Sequence, residues 1–178
     1  DDNAGTSWED AFRTLQKALD TADTSVGQTY QIWIAKGTYI PTQTLPGSTV
    51  CTEYLPHGNE RPEDWQCIGT GYRVDPETAH FVMKNDVAIY GGFAGTEDPD
   101  NFSLADRDFV NNETILSGNL GVDPESSEPL FAYHVFYHAN PGLDATAVLD
   151  GVTISGGDGR KHQGYGGGMF NSGSSPSL

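Results

Sequence analysis

Positive charge is scarce in this 178-residue chain: 9 Lys and Arg stand against 25 Asp and Glu, a formal charge of -16. A field of that sign repels polyanions, which argues against nucleic acid, anionic lipid headgroups and acidic polysaccharides as partners and makes cations the more natural ones. Long apolar runs are missing too. No stretch approaches the roughly 20 residues of a membrane span, so no membrane insertion by this segment is expected. Asp1 opens the chain without the basic-then-apolar pattern of a signal peptide, so the expectation is a removed leader or an excised piece. Cysteine is limited to Cys51 and Cys67, whose spacing lacks the close CxxC or CxxH pairs of a zinc site.

What is present is glycine and proline, 22 and 10 respectively, the composition of a turn-rich, mostly β protein. The length suits one domain. The two cysteines flank a loop rich in Pro, Gly, Glu and Trp, and an even count inside one irregular segment suggests a disulfide and an oxidising compartment, with two unpaired thiols as the alternative.

Trp8, Ala11, Phe12, Leu15, Ala18 and Leu19 recur at helical spacing, and Thr6 with Glu9 fits a capping box, so the pattern predicts an amphipathic helix over 6–20. A lone helix at the start of a β-rich chain has an edge to cover, and this one reads as a cap. Short β-prone runs follow at 31–35, 37–40, 80–83, 87–93, 114–117, 134–138 and 147–155. Ile89, Ile115, Val135 and Ile154 recur at about 20 to 26 residues, the period of a solenoid coil. Gly37, Gly91-Gly92 and Gly156-Gly157 end strand runs where a backbone must turn a tight corner.

These phrases carry a resemblance. Gly5-Thr6-Ser7-Trp8, Ile32-Trp33-Ile34-Ala35-Lys36-Gly37-Thr38-Tyr39, Ile89-Tyr90-Gly91-Gly92-Phe93-Ala94-Gly95-Thr96-Glu97, Leu149-Asp150-Gly151-Val152-Thr153-Ile154-Ser155-Gly156-Gly157 and Gly166-Gly167-Gly168-Met169-Phe170-Asn171 follow one another along nearly the whole chain. In that order they resemble bacterial secreted right-handed parallel β-helix repeat proteins, of the pectin-lyase-like fold and related to the polymorphic outer-membrane protein repeats. The expected fold class is therefore all-β, a right-handed parallel β-helix solenoid with an N-terminal amphipathic capping helix. One domain is expected over 1–178, with the cap at 6–20, a Cys-containing insertion at 41–78 and the first coils at 79–178. The resemblance implies a secreted or cell-surface protein of which this chain is the N-terminal part.

Candidate sites are sparse. Glu97, Asp98, Asp100, Asp106 and Asp108 crowd one polar loop and Asp123, Glu125 and Glu128 another; such hard oxygen donors suit a structural calcium ion, the alternative being a solvated acidic surface. Trp65 and Tyr72 in the insertion are candidates for stacking on a carbohydrate, whereas Trp33 reads as core. Arg160 and Lys161 form the basic cluster of a Gly-rich loop, a candidate anion or sugar site or a solvated turn. His134 and His138 share a strand face, as a structural and an exposed residue more readily than as a metal pair. Asp144 and Asp150 are weighed as catalytic acids against turn-forming ones, and no catalytic residue is assigned.

The function expected from these features is a non-catalytic extracellular or cell-surface structural or adhesive module, with carbohydrate or neighbouring surface proteins as partners. A carbohydrate-active enzyme, lyase or hydrolase, with catalytic coils beyond Leu178 is one alternative, and a subunit of an extracellular assembly is another. Further sequence with clustered acids or basic residues would favour the enzyme; persistent oligomers at low concentration would favour the assembly.

Overall fold

Thr14 starts the helix. Its side chain accepts the Lys17 N–H at 3.2 Å, satisfying one of the first-turn donors that no carbonyl can reach. The computed structural model describes residues 2–55, 66–73, 75–124, 126–139, 142–161 and 164–178. Among them α1 spans Leu15–Thr21, shorter than the 6–20 that the periodicity predicts. Local bonding explains the difference. Asp10 takes the Ala4 N–H on its carboxylate at 2.9 Å and the Gly5 N–H on its carbonyl at 2.8 Å, which closes the residues around Thr6 and Glu9 into a loop and removes the expected capping box. At the other end of α1, Lys84 Nζ donates to the carbonyls of Leu19 at 2.5 Å and Ala22 at 3.0 Å, tying the helix to the sheet region.

The strands, in chain order, are β1 (Tyr30–Ala35), β2 (Gly37–Tyr39), β3 (Ser48–Leu55), β4 (Gln66–Arg73), β5 (Val87–Phe93), β6 (Thr114–Ser117), β7 (Asn119–Val122), β8 (Pro129–Phe131), β9 (Phe136–His138), β10 (Val148–Asp150), β11 (Thr153–Ser155) and β12 (Met169–Asn171). Parallel pairing orders β1-β5-β10 and β11-β6-β2, with β12 beside β9, while β3/β4 and β7/β8 are antiparallel pairs. Ile32, Ile89 and Leu149 stand in one row across the first sheet; Ile89 and Leu149 belong with Leu116, Val135, Phe136 and the helix residues Leu15 and Leu19 to the main apolar cluster, and the partly buried Ile32 packs against it. A row of β-branched and aliphatic side chains on successive parallel strands excludes water from a continuous surface, the largest favourable term available to so turn-rich a chain.

The expected all-β right-handed parallel β-helix is corrected by this arrangement. Helix amounts to 12% and strand to 30%, in several small separate sheets, none of which forms a solenoid or barrel. Among the described residues no sheet exceeds three strands. The spacing misled because it does not follow the pairing: Ile89 lies opposite Ile32 and Leu149, not Ile115, and Ile115 lies opposite Thr38 and Thr153. Between the parallel partners the chain inserts long, unequal segments, two of which pair with themselves as the hairpins β3/β4 and β7/β8. Strands of three or four residues then form local patches.

Gly91 makes one of those patches close. A Cβ at this position would run into the Gly151 carbonyl of the neighbouring segment.

Candidate functional site

A cleft of ≈ 680 Å³ opens between α1, the loop formed by residues 4–12 and β1. All six residues of β1 line it. Consecutive strand side chains point to opposite faces, so a cavity that touches all six runs along the strand's edge and not over one face. β1 is the terminal strand of its sheet, and the edge turned from β5 is the one available. Trp8, Phe12 and Ala18 stand on the opposing wall, and no Asp, Glu, Lys, Arg or His belongs to the lining.

An aromatic cluster braces one end. A register shift between Trp33 and Ala35 brings Phe93 out of the main cluster, where Trp33 stacks on it at 4.6 Å, with Trp8 at 5.9 Å and Phe102 at 5.8 Å from the same ring. Trp33, expected in the core, is half-buried in this outer cluster. Trp8 Nε1 donates to the Glu97 carbonyl at 2.9 Å, which fixes the wall of the cleft to the polar loop.

Of the acids proposed for calcium, Glu97, Asp98 and Asp123 organise their own turns through their carboxylates. Glu97 accepts the N–H groups of Ala94 at 2.6 Å and of Gly95 and Thr96 at 3.0 Å each. Burial works to raise its carboxyl, and the combined backbone donation outweighs that and holds it below the usual value. Asp98 takes the Asp100 N–H and the Asn101 amide, Asp123 takes the Ser126 N–H, and Asp106 closes a 3-10 turn over Leu104–Asp106. Among the described residues no group of three or more His, Cys, Asp or Glu converges as a metal-binding set. Glu125 lies outside the described residues.

The two acids weighed for catalysis are separated in the same way. Asp144 accepts the Thr146 N–H at 2.8 Å and its hydroxyl at 2.6 Å. Asp150 pairs with Arg107 at 2.7 Å, and the guanidinium lies over the rings of Tyr90 and Phe109.

Arg160 binds Asp158 through both carboxylate oxygens at 2.8 Å beside a cavity of ≈ 470 Å³ lined mostly by glycines. Lys161 follows it in the 3-10 turn Gly159–Lys161, its side chain outside the described residues. Trp65 lies outside the described residues, and Tyr72 is described in its backbone alone, on β4. Cys51 and Cys67 fall on β3 and β4, with Cys51 opposite Thr70 and Cys67 opposite Tyr54; their side chains are likewise outside the described residues.

His138, expected to be exposed, is buried, as are His134 and His80. His134 contacts the Gly166 carbonyl at 2.9 Å and His80 the Thr78 carbonyl at 2.7 Å.

No protein family, curated protein or solved structure matches the chain. Sequence reasoning missed the cleft because the rim that fixes its wall is distant in the chain: Trp8 bonds to a carbonyl 89 positions away, next to the lining residues Ala94 and Gly95. One available signal was Trp8 itself, a large aromatic beside Gly5 in a polar segment, which a loop seldom keeps unless it packs elsewhere.

Proposed function

We propose that this chain is a non-catalytic structural or adhesive module of an extracellular or cell-surface protein. The observation that carries the reading is the uncharged, aromatic-walled cleft along β1. Its size falls within the several hundred Å³ of ordinary ligand sites, and its lining offers shape and apolar contact instead of acid, base or nucleophile. The carboxylates of Glu97 and Asp98 beside it, and Asp10 in the opposing loop, hold backbone N–H groups and so serve shape as well.

The test is paired. Beads carrying the protein are exposed to a panel of immobilised polysaccharides and extracellular proteins, and the same polysaccharides are incubated with the protein and assayed for fragments. Retention on a member of the panel without fragmentation is the expected result. Release of fragments from any polysaccharide would replace the adhesive reading with an enzymatic one, and retention on nothing would remove it.

A further inference from the structure

The edge of β1 that faces the cleft carries backbone hydrogen-bonding groups that no described residue pairs. Tyr30 donates its N–H to the Asp86 carbonyl at 2.8 Å, which fixes the phase of the ladder: Tyr30, Ile32 and Ile34 turn their N–H and C=O groups toward β5. Gln31 and Trp33 then turn theirs the other way, into the cleft. The phase leaves neither N–H a partner on β5, and among the described residues no turn, loop or side-chain hydrogen bond reaches either. In an edge strand such groups are a template for another strand.

We propose that the cleft takes an extended peptide from a partner protein, which adds to β1 as a further strand. The inference rests on the cleft being a binding surface and names its occupant. A strand backbone presents donors and acceptors on one side at every second residue, about 6.6 Å apart, which is the spacing from Gln31 to Trp33. Volume agrees. At ~3.3 Å per residue, ~4.8 Å between strands and ~10 Å between packed layers, one strand residue fills roughly 160 Å³; the ≈ 680 Å³ of the cleft therefore holds about four.

Charge defines the occupant further. No charged side chain lines the cleft, so a charge seated there would lose its hydration without a partner, and the seated residues are uncharged. One end of the cleft is acidic, since Glu97 and Asp98 follow its lining residues Ala94 and Gly95, while at the far end Asp23 is offset by Lys84, which donates to the carbonyl of the lining residue Ala22; the formal charge of -16 extends the negative sign beyond the cleft. An uncharged stretch flanked by Lys or Arg complements that pattern. A neutral sugar would gain from aromatic faces, but one face of Trp33 is already taken by Phe93, and a sugar supplies no repeating backbone amides for Gln31 and Trp33.

Amide hydrogen exchange on the full chain tests this. The probe is a pool of acetylated, amidated pentapeptides drawn from Ala, Ser, Thr, Val and Leu with one Lys at each end. Its addition should slow exchange at Gln31 and Trp33 by about tenfold or more, while Ile32 and Ile34, already bonded to β5, change little. The same pool N-methylated at alternate residues keeps the side chains and removes the ladder, and should give no such protection. Replacing the terminal Lys by Glu should weaken the effect at low salt.

Three outcomes would overturn the proposal: no protection by the unmodified pool, equal protection by the N-methylated pool, or protection by neutral cello-oligosaccharides in its place. The last two would leave the cleft a binding surface and so spare the broader adhesive reading. Filling the cleft by Ala18→Leu should abolish protection, and exchange at the core amides of β5 in the same spectrum reports whether that variant is folded.

Discussion

His138 accepts the backbone N–H of Met83 on Nε2 at 3.0 Å, so the ring is neutral and carries its proton on Nδ1, which lies 2.7 Å from the Asn171 Oδ1. The ring joins β9, the segment before β5, and β12. Burial pushes its pKa below the usual 6.5, and burial does the same to His80. For a group whose folded pKa is depressed, the stabilisation is complete above the unfolded value and is lost as pH falls through the folded one. Thermal melting between pH 8 and pH 5 should therefore show a midpoint that declines below about 6.5. His138→Gln should melt lower at pH 8 and decline less steeply toward pH 5. A wild-type midpoint flat over that range would refute the assignment.

Glu97→Gln removes a charge that holds three backbone N–H groups at the rim of the cleft. The neutral amide can accept some of these bonds, so the loss should be about 1 to 2 kcal/mol in chemical denaturation. Because the wild-type carboxyl is held below 4.5, its contribution is present above that pH and disappears as pH falls through the folded value. The difference between wild type and variant should shrink accordingly on acidification. Equal stability at pH 7 would mean that the loop keeps its shape without the charge.

Why some of this was legible in the sequence and some was not follows from the range of the interactions. In residues 87–93 the β-branched Val87 and Ile89 alternate with Ala88 and Tyr90 ahead of the pair Gly91-Gly92, a local pattern, and β5 occupies that span. The run 147–155 was also visible, but Gly151 at φ 73° breaks it into β10 and β11. Partner choice was not local. Nothing in the spacing of Ile89 announces Ile32 and Leu149 as its neighbours, and hairpins between them replaced the regular coil that the glycine corners suggested. For the acids, spacing alone does not separate two roles: a carboxylate that organises a turn and one that ligates a cation need the same Asp, Asn, Gly and Ser surroundings. His138 was read as exposed because its partner Met83 lies 55 positions away.

Gly91→Ala is a test of close backbone approach. The added methyl meets the Gly151 carbonyl, and the Thr114 Cβ stands 2.9 Å from the same point, so neither neighbour is a flexible tip that can step aside. Backbone shifts of this kind cost about 1 to 3 kcal/mol. A matched substitution, Gly168→Ala, should cost less, because its nearest neighbour is a methyl of Ile154 at 3.5 Å. Denaturation midpoints that rank the two variants the other way would contradict the packing between β5 and the Gly151 corner.

Arg107 holds the polar loop to the first sheet by shape as much as by charge. Its side chain is 8% exposed, pairs with Asp150 at 2.7 Å, donates Nε–H to the Leu104 carbonyl at 2.8 Å, and lies 5.1 Å and 5.0 Å from the ring centres of Tyr90 and Phe109. A lysine retains the charge and loses the planar fork that meets carboxylate, carbonyl and two rings together. Arg107→Lys should therefore cost about 2 kcal/mol. Asp150→Asn should cost less, since that carboxylate is 47% exposed on its side chain and water can replace it. High salt separates the contributions: screening weakens the exposed ion pair but leaves the ring contacts in place, so the wild-type advantage over Arg107→Lys should persist at ~1 M salt. If that advantage vanishes with salt, it comes from the fork's geometry in the Asp150 ion pair and the ring contacts contribute nothing to the loop's anchoring.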